Sequence, residues 1–429
     1  MITRVVKNSV RGEITVPSSK SHTIRAVTIA TLAKGKSIIN NPLPSEDCKA
    51  ALKAAEKFGA KCEVYEDKWI VEGLGSEIQV PDDVIDVKNS GTTLYFMASV
   101  AALLTDYTVF TGDKSIRSRP ITPLLNALEQ LGATSHKTRA KIDAPPFIVK
   151  GPIHSGTVRV IGSPSQYISS LLLVSPMLEG KTRIETENPK ETPYIDMTID
   201  WMKSTGIELT YDKDEYKYYE VSGKQEYIPF TRTMPSDWSS VAFPLAAALT
   251  PGSNLIINSL DFNDKQGDAK IVEYLQNMGA DIKIDRANGR LIINGGKELT
   301  GITIDCANTP DAVPILSVVG CTAKGITVLD NVAGARLKET DRVSVMEEVL
   351  SKMGARIETE HNKITIYGET PLKGAVLESY HDHRVAMALS VAGLFAEGET
   401  VIKNSECVNA TFPRFFEIMN KLGAGFETE

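Results

Sequence analysis

The feature that most limits what this chain can become is a repeat. One pattern occurs six times: a polar start, a short apolar helix rich in small residues, a turn usually containing glycine, and a strand ending in Asn or an acid. The copies run Ser19 to Asn41, Asn89 to Asp113, Pro164 to Glu187, Asp237 to Asn258, Thr309 to Asn331 and His381 to Asn404. Their spacing is roughly seventy residues, longer than solenoid and propeller periods. Each copy leads to a second helix closed by glycine, as at Cys48–Gly59, Ile121–Gly132, Ile271–Gly279, Arg342–Gly354 and Phe412–Gly423. Such a glycine suits the left-handed position just past a helix end. Two strands around a polar turn then follow in most copies, as in Ala60–Val71 and Ala355–Tyr367. The unit is therefore βαβαββ.

The two helix types differ. The first of each unit is apolar almost all round, the mark of a buried helix. The second carries Lys and Glu at helical spacing, so one face is wet. An ordinary doubly wound sheet would show apolar parallel strands with amphipathic helices on both faces, close to the reverse. The prediction is an α/β protein with buried helices inside sheets, three units to a domain. A chain of 429 residues can fill two such cores. The expected domains are 19–229, and 1–18 with 230–429, crossing near 11–19 and 226–235. The first strand, Ile2–Asn8, is assigned to the last three units.

Composition narrows the function. A hydrophobic fraction of 42% fits a soluble globular protein. No run approaches the length of an uncharged membrane span, and no apolar leader opens the chain, so neither span nor secretory signal is expected. The five cysteines (Cys48, Cys62, Cys306, Cys321, Cys407) form no CxxC pair, which suits a reducing cytoplasm. A net charge of −7 argues against nucleic acid or an acidic membrane as partner. Yet cations gather at the repeat starts and nearby loops: Lys20, Arg25, Arg117, Arg119, Arg336, Lys338, Arg342 and Arg384. Positive clusters on an acidic chain point to a small anionic ligand.

Three stretches stand out. Pro17 to Arg25 opens a helix with three hydroxyls (Ser18, Ser19, Ser21) beside Lys20 and Arg25. A helix N-terminus is already positive, so added cations make sense if an anion binds there. Arg336 to Arg342 packs three cations and two carboxylates before a helix; Lys338 and Arg342, four apart, are expected to share its face. Taken alone, that string reads most simply as a surface ion-pair ladder. His381-Asp-His-Arg384 could ligate a metal, but no companion residues stand at ligand spacing, so no metal is expected. It occupies the same place in its unit as Lys20 and Asp311. Gly35-Lys-Ser has Ala30 where a P-loop needs glycine, and no dinucleotide fingerprint or Gly-x-Ser-x-Gly elbow is present.

In order, one per repeat junction, the chain carries Pro-x-Ser-Lys-Ser-x-x-x-Arg (17–25), Asn-x-Gly-Thr (89–92), Arg-Pro (119–120), Ser-Gln (165–166), Pro-Tyr-Ile-Asp (193–196), Pro-Asp-Ala (310–312), Lys-Glu-Thr-Asp-Arg (338–342), Asp-His-Arg (382–384) and Phe-Pro (412–413). Over nearly its whole length it resembles the 5-enolpyruvylshikimate-3-phosphate synthase family of enolpyruvyl transferases. The resemblance implies two inside-out α/β barrels closing on substrates in a cleft. It implies transfer of the enolpyruvyl group of phosphoenolpyruvate to the 5-hydroxyl of shikimate 3-phosphate, with release of phosphate, in chorismate and aromatic amino acid biosynthesis. It implies no metal or organic cofactor, and a cytoplasmic monomer. By this likeness Lys20, Ser21, Arg25, Ser165, Gln166, Tyr194, Asp311 and Lys338 hold shikimate 3-phosphate. Lys20, Gly91, Arg119, Gln166, Arg342 and Arg384 hold phosphoenolpyruvate. Asp311 is the base, Glu339 the partner acid/base, and Lys20 a third catalytic group.

The chain departs from the family pattern at five positions. Tyr95 and Ala410 stand where Arg and Lys are usual, beside the phosphoenolpyruvate site. Pro164, Glu191 and Gly334 replace two serines and an asparagine around the acceptor. These changes leave two alternatives: a related transferase with another acceptor alcohol, or an anion-binding homologue without activity. The UDP-N-acetylglucosamine branch is disfavoured because no cysteine stands near Arg117 to Arg119. The paired carboxylates Asp311 and Glu339 beside cations speak against a mere binder.

Overall fold

Two kinds of helix alternate along the chain. The computed structural model describes residues 1–161, 164–187, 189–368 and 370–429. Among the described residues the α-helices are α1 (Lys20–Leu32), α2 (Glu46–Lys57), α3 (Gly91–Ala101), α4 (Thr122–Gln130), α5 (Gln166–Val174), α6 (Thr192–Ser204), α7 (Trp238–Ala247), α8 (Ile271–Asn277), α9 (Val313–Thr322), α10 (Arg342–Lys352), α11 (His383–Phe395) and α12 (Phe415–Lys421). The odd-numbered helices are sheathed on all sides. Every residue of α7 is buried, as is every residue of α11 except Phe395. Buried hydroxyls inside them are satisfied locally: in α1 the Oγ1 atoms of Thr23, Thr28 and Thr31 donate to the carbonyls of Ser19, Ile24 and Val27. The even-numbered helices bury one face. In α2 that face is Cys48, Ala51, Leu52, Ala54 and Ala55, with Glu46 and Asp47 in the first turn and Lys57 in the last, matching the macrodipole. The glycines that close these helices take positive φ, from +87° at Gly354 to +105° at Gly132, where a side chain would be strained.

Six four-stranded sheets carry one hydrogen-bonding plan among the described residues. In the second unit Ile85–Asp86 pairs in parallel with Thr108–Thr111, which pairs antiparallel with Phe147–Lys150, which pairs antiparallel with Thr134–Lys137. With α3 and α4 between the strands, this is the βαβαββ unit.

The chain divides into two compact units, 18–234, and 1–17 with 235–429. The boundaries differ by a few residues from those drawn on the sequence. Thr231–Thr233 pairs in parallel with Lys34–Asn40, which keeps 230–234 with the first unit. Ile2–Val6 pairs with Glu399–Lys403, and Arg11–Thr15 with Asn254–Asn258, so the N-terminus belongs to the second. Each unit has its own hydrophobic core, one spanning Ile24 to Met234 and the other Val5 to Phe426.

Candidate active site

In both units the candidate residues gather mainly in the first turns of helices or just before them, on buried and outer helices alike. A helix start offers free N–H groups and partial positive charge.

In the second unit, one arginine organises the site. Arg342 opens α10 and is only 1% exposed. Its Nη1 donates to Asp311 Oδ1 at 2.6 Å, its Nη2 to Glu339 Oε2 at 2.6 Å, and its Nε to Asp382 Oδ2 at 2.8 Å. Asp382 caps α11, accepting from the backbone N–H of Arg384 at 2.9 Å, and takes the Thr340 hydroxyl at 3.0 Å. Burial pushes the Asp311 carboxyl up, but Arg342, then Lys338 and Arg384, overcome it and hold the group well below the usual carboxylate range. Arg384 is 3% exposed; its Nη2 lies 3.8 Å from both Asp237 Oδ2 and Asp311 Oδ2. Its Nε and Nη1 are buried with no hydrogen-bond partner among the described residues. Behind them, fully buried Asp268 accepts from the Ser239 hydroxyl. Burial, and then the charge of Asp311, push its carboxyl up to about 7.

The string 336–342 is thus no surface ladder. Arg336 pairs with Asp341 at 2.7 Å and reaches the carbonyls of Glu360 and His361, while Arg342 turns inward. Nor do Lys338 and Arg342 share a helix face: Asp341 is the N-cap, so Lys338 precedes the helix. One donor atom each of Glu339, Asp382 and His383 lies within 4.8 Å of the others, a grouping a metal could use. Arg342 already donates to both carboxylates, so the guanidinium is the cation of this cluster.

In the first unit the contacts are mostly to backbone carbonyls and hydroxyls. Lys20 begins α1, and its Nζ pairs with buried Asp47 Oδ2 at 3.0 Å. Arg25 is fully buried: its Nε donates to Thr198 Oγ1 at 2.9 Å, its Nη1 to the Ser21 carbonyl at 3.1 Å, and its Nη2 to the Tyr194 carbonyl at 2.9 Å. Burial lowers its pKa to about 10, which leaves it charged at neutral pH. Two of these bonds tie α1 to α6, and the third turns back within α1.

Ser165 precedes α5, and its hydroxyl donates to Glu191 Oε2 at 3.1 Å. Gln166 begins the helix with its Oε1 buried and without a hydrogen-bond partner among the described residues. Gly91 begins α3, and a Cβ there would stand 2.5 Å from Arg119 Nη1. The missing side chain lets that guanidinium lie against the helix start. Tyr95 fills the position where the family pattern has Arg. Its ring meets Tyr167 edge-on at 5.0 Å, and both hydroxyls donate to the Pro120 carbonyl, at 3.3 and 2.8 Å. The pair steadies the residue next to Arg119.

Three carboxylates of these clusters were not singled out as site residues in the sequence, Asp47, Asp237 and Asp268, and Asp382 entered only within the Asp-His-Arg motif. Asp237 and Asp382 stand at repeat starts, one copy each, and that shared place was the available signal. Asp47 and Asp268 lie in or just before outer helices and carried none.

The chain matches the family described as EPSP synthase (3-phosphoshikimate 1-carboxyvinyltransferase) over residues 6–419. It is 45% identical over 428 residues to the 3-phosphoshikimate 1-carboxyvinyltransferase of Acetivibrio thermocellus, covering 100% of each chain. It is 42% identical to that of Methanosarcina acetivorans, covering 98% of this chain and 97% of the relative. Among solved structures, EPSP synthase from Acinetobacter baumannii superposes with a TM-score of 0.83 at 27% identity, covering 99% of each chain. The enolpyruvyl transferase NikO from Streptomyces tendae shares the fold, with a TM-score of 0.81 at 16% identity over 99% of this chain and 98% of that one.

Proposed function

The chain belongs to the EPSP synthase family, and from that premise we propose how its residues divide the work. The reaction is that of the family: the enolpyruvyl group of phosphoenolpyruvate passes to the 5-hydroxyl of shikimate 3-phosphate and phosphate is released, a step toward chorismate and the aromatic amino acids. In our reading Arg119, Arg342, Arg384, Lys20, Gln166 and the Gly91 helix start receive phosphoenolpyruvate. Lys20, Ser21, Arg25, Ser165, Gln166, Tyr194, Asp311 and Lys338 receive shikimate 3-phosphate. The observation that carries this is that Nε and Nη1 of Arg384, beside the Arg342 cluster, are buried and without a hydrogen-bond partner among the described residues. Leaving such donors unsatisfied is costly, and anionic oxygens of a bound carboxylate or phosphate would accept from them.

Addition forms a bond from the 5-oxygen to C2 of the enol as C3 gains a proton. Elimination expels phosphate from C2 as C3 loses one. Asp311 takes the hydroxyl proton, and Glu339 with Lys20 serves C3. Held low by Arg342, Lys338 and Arg384, Asp311 is a weak base in the ligand-free protein. Once Arg342 and Arg384 turn part of their charge onto phosphoenolpyruvate, its basicity rises, so the donor activates the base.

Phosphate release on mixing both substrates tests this. It should require both, and Asp311→Ala should lower kcat by about a hundredfold or more; a fall under threefold would remove Asp311 from the chemistry. We also infer a cytoplasmic monomer, supported by five free cysteines among the described residues. No helix among them is long and apolar enough to cross a membrane. Light scattering at assay concentration should give 46.7 kDa; twice that mass would refute the monomer.

A further inference from the structure

The acceptor pocket proposed above includes Ser165, Gln166 and Tyr194, and the chain has placed a carboxylate of its own among them. Glu191 is 2% exposed, and its Oε2 takes the Ser165 hydroxyl at 3.1 Å. Ser165 immediately precedes α5 and Glu191 immediately precedes α6, so this bond brings two helix starts together. Both ends carry partial positive charge and free N–H groups, an arrangement suited to an anion. Glu191 also sits in the left-handed region, φ 55° and ψ 37°. Tyr194 follows within the same turn, its N–H donating to the Glu191 carbonyl at 3.0 Å.

We propose that Glu191 is a specificity-determining residue whose carboxylate occupies the place of the acceptor's phosphate in the ligand-free chain. It takes the Ser165 hydroxyl and the helix-end charge that a phosphate would otherwise use. The proposal rests on the reading of Ser165 and Tyr194 as acceptor ligands. When shikimate 3-phosphate arrives, Glu191 must give up Ser165 and turn aside, or stay and oppose a dianion at close range. Either course penalises the phosphorylated acceptor and leaves unphosphorylated shikimate almost untouched. Glu191 therefore narrows the preference for the 3-phosphate, and removing its charge should widen it.

Calorimetric titration of the full chain with shikimate 3-phosphate, and separately with shikimate, tests this in Glu191→Gln, Glu191→Ser and Ser165→Ala. The Gln variant keeps the volume of the side chain and an acceptor for Ser165, so it isolates the charge; thermal melts confirm that each variant folds. Both Glu191 variants should bind shikimate 3-phosphate about tenfold more tightly, with the ratio of the two Kd values widening by the same factor. Ser165→Ala should weaken the 3-phosphate. If Ser165→Ala weakens it but Glu191→Gln leaves the Kd unchanged or raises it, the role of Glu191 is overturned and the pocket stands. If Ser165→Ala leaves the Kd unchanged, the pocket itself is misassigned and the proposal falls with it.

Discussion

In the unit built on α7, α9 and α11 the charged side chains of the site are spent on one another. Arg342 alone contacts three carboxylates. In the unit built on α1, α3 and α5 Asp47 pairs with Lys20 and Glu191 with Ser165, and the other residues are tied to carbonyls, hydroxyls and rings: Arg25 to two carbonyls and a threonine, Tyr95 and Tyr167 to one carbonyl. The difference is one of interdependence. A buried ion network holds together only as a whole, so removing one member strands the others in a medium that solvates charge poorly. Hydrogen bonds to backbone are local, and losing one disturbs little beyond its own donor. The first region should therefore lose stability with function, and the second function alone.

The sharpest way to break this comparison is Arg342→Ala. It leaves Asp311, Glu339 and Asp382 without their shared cation, and should cost about 3–5 kcal/mol of stability as well as activity. Denaturant unfolding of the variant checks it; a loss near 1 kcal/mol would erase the distinction. Gly91→Ala belongs to the other region. Its Cβ would push on the far end of the Arg119 side chain, which can shift. The KM for phosphoenolpyruvate should rise about tenfold or more with the melting temperature unmoved, whereas a fall in melting temperature without a KM change would contradict the placement of Arg119.

Asp268 sharpens the same contrast through pH. Its folded pKa, about 7, lies above the unfolded value near 3.8, so between those values the folded chain holds a proton the unfolded chain has released. Stability should fall as pH rises from about 4 to about 7, by on the order of 1 kcal/mol per unit at most. Asp311 does not offset this, because its low folded pKa adds stability that is lost only in stronger acid, below the unfolded value. Urea midpoints at pH 5 and pH 7 should draw together in Asp268→Asn; an unaltered gap would assign the slope elsewhere. The smallest effect is Tyr95→Phe. It removes one of two hydroxyls from the Pro120 carbonyl, worth about 0.5–1.5 kcal/mol, and should raise the KM for phosphoenolpyruvate a few-fold while leaving binding of shikimate 3-phosphate as it was.

Much of this was legible in the chain. The alternation of all-round apolar and one-sided helices foretold which would be buried, because burial on every side leaves little room for charge beyond the first turns, as the uncharged run Val385 to Leu394 of α11 shows. The glycines after the outer helices foretold where each would stop. In the sequence the candidate site was marked at its cations, since Lys20, Arg342 and Arg384 stand in the first turns of helices in an acidic chain. Its buried carboxylates were less so. Asp268 and Asp47 look in sequence like any acidic residue near an exposed helix, and only their neighbours make them otherwise.

The sequence by itself determined the six units, their helices and strands, and which helix faces are apolar, because periodicity and turn chemistry act over a few residues at a time. Tertiary structure decided the rest. It gave N-terminal strands to sheets completed near residues 250 and 400, turned Arg342 inward while Arg336 stayed with its own loop, and set a glutamate against Ser165. Those outcomes depend on which residues distant in sequence share a low-dielectric space. The energy of a charge there is fixed by its neighbours rather than by its own position in the chain.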